Sequence, residues 1–357
     1  GSQFYMCECR LRTNFFVRSA DEHFEYDGDD GAFARQYERF VRNAKATGRQ
    51  PPPPPVEDVL ADVVAQREER RRAPLEAQLR AERIAAEYKR LHPEVYTLDS
   101  EKFLHPDFKV MVEQFQKCPD RPRAIEQCAN DLVSRGILTR IKEDLYSFPV
   151  LTESFCDMLQ AELGSFEASG LPKTRPNTMN RYGVVLRELG MCEGLLDPIV
   201  VEHVNPIATR LLSIYTETLD SYRAFTVKYQ AEEGGDSKLS MHADNSEVTL
   251  NVNIGGDWTG GQVTFFGPTG RPPQTPISVS LRRGHGLLHS GRELHQAEPV
   301  QSGRRENLIV WCRSSGVRNV ECPMCQSAPR VVPTNAYGHD GFTVPPCALG
   351  GCDALAH

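Results

Sequence analysis

Between Val248 and Ile254 the apolar residues Val248, Leu250, Val252 and Ile254 alternate with the polar residues Thr249, Asn251 and Asn253. Alternation of period two predicts a strand with one face on a core and the other lining a polar pocket. Other short strands are predicted at Tyr146–Val150, Tyr182–Leu186, Ala224–Tyr229, Gln262–Phe266, Gly284–His289 and Asn307–Trp311, with glycine turns at Gly255-Gly256 and Gly260-Gly261. Many short strands with glycine turns predict a sandwich or jelly-roll barrel. Elsewhere the period changes to that of helices. The stretch from Val56 to Arg90 predicts one or two charged helices broken near Pro74, behind a stiff spacer at Pro51–Pro55. Ile125, Cys128, Ala129, Leu132 and Val133 form a helical stripe, Thr152 suits the N-cap of a helix reaching about Ser169, and Pro198–Thr216 reads as another helix.

These elements divide the chain into an N-terminal segment (1–55), a helical region (56–140), a β domain (141–316) and a cysteine-rich tail (317–357). The fold class is mainly β with flanking helices and a helical N-terminal region. At 357 residues and a mean hydropathy of -0.45, a globular chain without membrane spans is expected. A net charge of -7 disfavours nucleic acid as a partner. The arginines at 67, 70, 71 and 72 form the one basic cluster, and interleaved Glu68 and Glu69 favour an exposed helix face over an import or RNA-contacting patch. Eleven cysteines with no secretory signal and no Asn-x-Ser/Thr sequon favour a reducing, cytoplasmic or nuclear setting.

The chemistry concentrates between His242 and Trp311. His242 and Asp244, two residues apart on an extended chain, point to one side while Ala243 turns away. A histidine from a distant strand would complete two His and one carboxylate, the facial set that suits Fe(II) and leaves positions open. His285, His289 and His295 are all in range. Spacing favours His295 with Arg305 over His289 with Arg304, because Arg305 leads the alternating row Arg305, Asn307, Ile309 and Trp311. A buried arginine there can hold a carboxylate through a charge-assisted pair worth roughly 1.5–3 kcal/mol.

The motifs His242-x-Asp244, TGGQVTFF, and His295 with Pro299, Arg305 and Trp311 resemble the prolyl and lysyl hydroxylase branch of the 2-oxoglutarate/Fe(II) dioxygenases. AFTVKY, MHADNSEVTLNVNI and HSGREL are similar to collagen lysyl hydroxylase catalytic domains, and the resemblance covers about residues 88 to 345. It implies a double-stranded β-helix core in which His242, Asp244 and His295 bind Fe(II). It also implies that Arg305 and Tyr229 hold 2-oxoglutarate, with Thr249 and Asn251 on the pocket wall and L-ascorbate as reductant. Asn180 and Arg292 are further candidates for the wall, with structural roles as the alternative. O2 and a protein side chain, lysyl or prolyl, are the implied partners, with release of succinate and CO2. A nucleic-acid or small-molecule oxygenase and a non-catalytic, metal-stabilised interaction module are the alternatives.

Cys322-x2-Cys325 is a knuckle, and with Cys347 and Cys352 it suggests a structural zinc site; Cys7 and Cys9 offer a competing second pair should the termini meet. Reduced thiols on a tail are the other reading.

Overall fold

The computed structural model of the protein describes residues 2–212, 219–232, 234–272, 274–323 and 325–334. Strand β1 (Ser2–Met6) leads into a 3-10 turn (Glu8–Leu11) and the hairpin β2 (Phe15–Val17) and β3 (Glu22–Phe24). Helix α1 (Asp30–Ala46) starts where the Asp29 carboxylate accepts the Ala32 N–H, meeting one of the donors that a helix start leaves open.

Helix α2 (Val56–Glu87) runs unbroken through Pro74, against the predicted break. Proline there removes one backbone hydrogen bond and crowds the preceding turn, but the helix is anchored on both sides of it. Val59 and Val63 are buried in a small core with Phe15, Phe24, Phe33 and Tyr37, and Ile84 is buried in the large core. The four arginines of the basic cluster at 67–72 are engaged with the protein itself. Arg70 donates to the carbonyls of Thr13 and Asn14 and lies 4.2 Å from the centre of the Phe15 ring. Arg67 donates to the Asp27 carbonyl, and Arg71 and Arg72 pair with Glu68 and Glu76.

Helices α3 (Ser100–Phe103), α4 (Pro106–Lys117) and α5 (Pro122–Ser134) follow. Phe108, Met111, Val112 and Phe115 make an i, i+3, i+4, i+7 stripe that joins Phe103 and Leu132 in the same core as the β domain. The predicted helical region 56–140 is therefore not a separate unit. The boundary set at 141 falls inside β4 (Thr139–Lys142), which pairs with β5 (Leu145–Pro149). Helix α6 (Glu153–Ala168) is capped by Thr152, whose hydroxyl accepts the Phe155 N–H. The predicted strand at 182–186 runs beside residues 224–228, with a bridge from Val185 to Phe225 and backbone hydrogen bonds from Leu186 to Ala224, Thr226 to Val184 and Lys228 to Tyr182. The helix predicted from Pro198 is π-helical over Ile199–Val204 and becomes α7 (Asn205–Leu211); its predicted end lies outside the described residues.

The remaining strands build two facing sheets. They are β6 (Ser221–Gln230), β7 (Leu239–His242), β8 (Val248–Gly255), β9 (Trp258–Gly260), β10 (Val263–Pro268), β11 (Ile277–Val279), β12 (His285–Ser290), β13 (Glu293–Ala297) and β14 (Val300–Arg313). The larger sheet runs β4-β5-β12-β8-β14-β6 with β9 beside β14, and the smaller runs β11-β10-β13-β7. From β6 through β8 and from β12 to β14 the chain passes from one sheet to the other at each strand, which winds it into a double-stranded β-helix. The helices cover the larger sheet: Val248, Leu250, Val252 and Ile254 of β8 share a core with Phe155, Leu159 and Leu163 of α6. No helix among the described residues is long and apolar enough to cross a membrane.

After β14 comes a single turn, α8 (Ser315–Arg318), and then β15 (Arg330–Thr334), which pairs antiparallel with β1. The expected N-terminal segment and C-terminal tail thus meet in one small sheet. Arg318 is fully buried and its Nε lies 2.8 and 2.9 Å from the two carboxylate oxygens of Glu247, while its NH1 donates to Asn245 Oδ1 at 2.8 Å. Arg318→Met strands the Glu247 carboxylate in the interior and is expected to lower the unfolding free energy by about 3–5 kcal/mol. Equilibrium urea unfolding measures this, and a loss below about 1 kcal/mol, the worth of a surface pair, would show that the contact is not structural.

Candidate metal centre

Strands β13 and β7 pair antiparallel with His295 directly opposite His242. Directly opposed residues project to the same face, and the two imidazole centroids stand 4.3 Å apart. The Nδ1 atom of His242 is 2.8 Å from the Ser240 carbonyl, and that of His295 is 2.8 Å from the Glu293 carbonyl. Those contacts make Nδ1 the protonated nitrogen of each ring and leave Nε2 as the lone pair. Both Nε2 atoms turn toward Asp244, at 3.6 Å from Oδ1 for His242 and 3.9 Å from Oδ2 for His295. The three ligand atoms all lie within 4.8 Å of one another.

Burial, together with the neighbouring His295, pushes the His242 imidazole down to about 4, so it is neutral at physiological pH and able to ligate. Burial works against the charge of Asp244, yet His295, His242 and His289 hold its carboxyl below the ordinary value. The donor set is two imidazoles and one carboxylate on one side of a point, which fits Fe(II). His289 is buried one strand away on β12, with Nδ1 2.9 Å from the Ser290 carbonyl and its ring edge-on to Phe265. It lies outside the ligand cluster.

The loop between β7 and β8 that carries Asp244 is fixed by backbone contacts. Asp244 N–H donates to the Gly291 carbonyl at 2.8 Å, and Gly291 N–H donates to the Glu247 carbonyl at 3.0 Å. A Cβ on Gly291 would sit 2.0 Å from the Ser246 carbonyl oxygen, so only glycine permits this approach. Arg313 closes the loop from the other side, donating from Nε and NH2 to the Asn245 carbonyl at 2.9 and 2.8 Å.

A cavity with ≈ 450 Å³ of empty space, part of it open to solvent, joins this cluster to the inward row of β14. Its wall includes Tyr229, Thr249, Asn251, Arg305, Asn307 and Trp311. Arg305 is 4% exposed while Arg304 faces solvent. The Arg305 guanidinium donates to the Gly261 carbonyl and lies 4.7 Å from the centre of the Tyr229 ring. Its Nε has no hydrogen-bond partner, and no carboxylate pairs with it among the described residues. Burial lowers its pKa from the ordinary value, but a guanidinium keeps its proton in proteins. The cavity therefore holds an uncompensated cation beside the ligand cluster, the arrangement that a carboxylate ligand completes.

Thr249 does not face a cosubstrate freely. Its hydroxyl donates to Asp244 Oδ2 at 2.6 Å and meets Ser246 Oγ at 2.8 Å, so it orients the ligand carboxylate. Asn251 Oδ1 accepts from Asn307 Nδ2 at 2.6 Å, and Asn253 is fully buried behind them, bonded to Asn307 Oδ1 and away from the cavity wall. Asn180 donates to the Tyr229 hydroxyl at 3.2 Å and lines the cavity, whereas Arg292 sits exposed on the β12–β13 turn and does not. Asn177, which the strand pattern did not single out, also lines the cavity and donates to Asn180 Oδ1 at 2.9 Å.

A second cluster lies at the small β1–β15 sheet. Among the described residues it contains Cys7, Cys9, Cys322 and Cys325, the knuckle joined by the competing N-terminal pair. The pairing of β1 with β15 brings the N-terminal pair to the knuckle, and Cys347 and Cys352 lie outside the described residues.

Residues 84–217 match the model of the OGFOD2-like domain. The chain is 38% identical over 342 residues to the 2-oxoglutarate and iron-dependent oxygenase domain-containing protein 2 of Xenopus tropicalis, covering 95% of this chain and 93% of that one. It is 36% identical over 351 residues to the Homo sapiens protein of the same name, covering 95% and 94%. It is also 29% identical over 199 residues to the Homo sapiens multifunctional procollagen lysine hydroxylase and glycosyltransferase LH3, covering 52% of this chain and 26% of that one.

Two outcomes follow from the ligand environment. Thr249→Val is expected to weaken Fe(II) binding by about 10–100-fold by freeing the Asp244 carboxylate, with the fold intact by circular dichroism. Anaerobic titration checks this, and an unchanged affinity would mean that Thr249 does not orient Asp244. In metal-free protein, His242 and His289 are both pushed down to about 4 by burial and by His295. Between the unfolded value near 6.5 and that folded value the unfolded chain binds more protons, so stability is full above about 6.5 and falls as pH drops toward 4. The urea midpoint of metal-free protein should be lower at pH 5 than at pH 7, and a midpoint constant across that window would contradict the assignment.

Proposed function

The chain belongs to the 2-oxoglutarate and iron-dependent oxygenase domain-containing proteins, and from that premise we propose that it hydroxylates a lysyl or prolyl side chain of a protein. The reading is supported by the likeness to a procollagen lysine hydroxylase over half of this chain and by the acidic net charge of -7, which disfavours nucleic acid. The observation that carries the assignment of the site is the buried Arg305 guanidinium, without a carboxylate partner among the described residues, in the same cavity as His242, Asp244 and His295.

In this assignment His242 and His295 would hold iron through Nε2 and Asp244 through a carboxylate oxygen. Arg305 receives the far carboxylate of 2-oxoglutarate, and Tyr229, stacked under the guanidinium and hydrogen-bonded to Asn180, sets its position. Burial raises the pKa of the Tyr229 phenol, with Arg305 opposing, so the hydroxyl stays neutral and can donate to that carboxylate. Asn251 and Asn307 form the polar floor, held to each other and to Asn253. When bound, iron with 2-oxoglutarate supplies an oxidant from O2, releasing succinate and CO2 and inserting oxygen into a C–H bond. Phe225, Val227, Leu239, Ile309 and Trp311 give the cavity apolar walls that would limit water beside the bound iron. Ascorbate serves as the reductant that keeps the iron ferrous.

Anaerobic addition of Fe(II) and 2-oxoglutarate should give a weak visible charge-transfer band, and air should then release succinate. Wild type and His242→Ala giving equal succinate would remove the site assignment. Arg305→Ala is expected to weaken 2-oxoglutarate binding by at least about tenfold, from a charge-assisted pair worth roughly 1.5–3 kcal/mol, while Fe(II) binding survives. Equal loss of both ligands would make Arg305 structural. The substrate class is tested by substrate-dependent succinate release with lysine- and proline-rich peptides and by mass spectrometric location of the added oxygen. Oxygen found only on nucleobases or on a small metabolite would overturn it.

A further inference from the structure

We infer that Cys7, Cys9, Cys322 and Cys325 bind one Zn²⁺ ion as a four-thiolate clamp joining the N-terminal segment to the chain that follows the oxygenase core. The four sulfurs all lie within 4.8 Å of one another. Cys7 Sγ is 3.5 Å from Cys325 Sγ, and Cys9 Sγ is 3.6 Å from Cys322 Sγ. Four sulfurs at about 2.3 Å from a tetrahedral Zn²⁺ stand about 3.8 Å apart along each edge, which matches both contacts. A disulfide needs about 2.05 Å between two sulfurs and gives no reason for a second pair to converge on the first. Tetrahedral sulfur sets of this kind take zinc or a single iron in preference to harder ions.

Each cysteine pair sits on a tight turn that aims two thiols at one point. After Cys7 the chain enters the 3-10 turn Glu8–Leu11, and the N–H groups of Arg12 and Thr13 both donate to the Cys9 carbonyl, at 2.8 and 2.7 Å. On the other side Gln326 takes a left-handed conformation with φ 58°, and its N–H donates to the Cys322 carbonyl at 2.8 Å. Cys322 N–H in turn donates to the Ser327 carbonyl at 2.9 Å, closing the knuckle. Cys322 is 1% exposed, so its thiol is directed inward to the cluster. The contacts span 318 and 313 residues of chain, and a crosslink that closes so long a loop removes more disorder from the unfolded chain than a local one. The β1–β15 pairing runs beside the cluster and is clamped with it. On binding, the thiols give up their protons and the ion takes their place.

The test uses the full chain, purified without chelator and with a His242→Ala change that disables the other metal centre. Elemental analysis should find one zinc per chain, released by a mercurial reagent that titrates thiolates. Replacement by Co²⁺ should give the strong thiolate charge-transfer absorption of a four-sulfur site. Cys322→Ser and Cys9→Ser should each lose the zinc, and the double change Cys347→Ser, Cys352→Ser should retain it. Should Cys322→Ser fail to fold, the zinc content and cobalt spectrum of the His242→Ala protein decide alone. Absence of zinc there overturns the proposal, and a thiol count in denaturant then assigns the cause: all eleven cysteines titrating means plain thiols, and four fewer means two disulfides. Zinc lost from the Cys347, Cys352 variant, or iron in place of zinc, also overturns it.

Discussion

The site depends on the register of two strands. With β13 antiparallel to β7 and His295 opposite His242, both imidazoles fall on one face of the smaller sheet; a slip of one residue between the strands would put them on opposite faces. Pairing ends at His242, and Asp244 stands just beyond, where the chain leaves the strand for the loop into β8. The third ligand is therefore positioned by the contacts that pin this loop rather than by sheet hydrogen bonds. Gly291 bridges Asp244 and Glu247 through the backbone, and Arg313 and Arg318 hold Asn245 and Glu247 from behind. Every one of those contacts comes from β14, α8 or the β12–β13 turn, so the ligand geometry is a property of the closed double-stranded helix.

That dependence sets what the sequence could reveal. His242 and Asp244 were legible as ligands because a period of two is local, and Arg305 because it heads a row with Asn307, Ile309 and Trp311 on one strand. The inward direction of Thr249 was legible for the same reason, but its partner was not. Its bond to Asp244 depends on how the loop folds back on β8, which alternation does not encode. The roles of Gly291, Arg313 and Arg318 were hidden for the same cause, since their partners lie roughly 45 to 75 residues away and in other elements. Pro74 misled in the opposite sense: local propensity favours a break, while burial of Val59, Val63 and Ile84 on either side holds the helix straight through.

The cysteines show the same limit. Sequence spacing marks Cys322 and Cys325 as a pair but leaves their partners open, and proximity along the chain pointed to the tail. The sheet formed by β1 and β15 brings Cys7 and Cys9 there. Topology, rather than motif spacing, decides which ligand pairs meet.

Charge in the cavity gives the site a direction. Burying an ion without a partner costs several kcal/mol even after relaxation, and among the described residues the buried Arg305 has the Gly261 carbonyl and the Tyr229 ring against it and no carboxylate. A protein selected for stability alone would do better with an apolar residue there. Across the same cavity the Asp244 carboxyl is held below its ordinary value, so the metal end presents a carboxylate and the far end a guanidinium. A dication at the first and a dicarboxylate spanning to the second bring both ends close to neutrality together, while either alone leaves a buried charge unmatched. The two ligands are therefore expected to stabilise each other's binding, and that mutual dependence follows from the electrostatics of this cavity whichever side chain is finally oxidised.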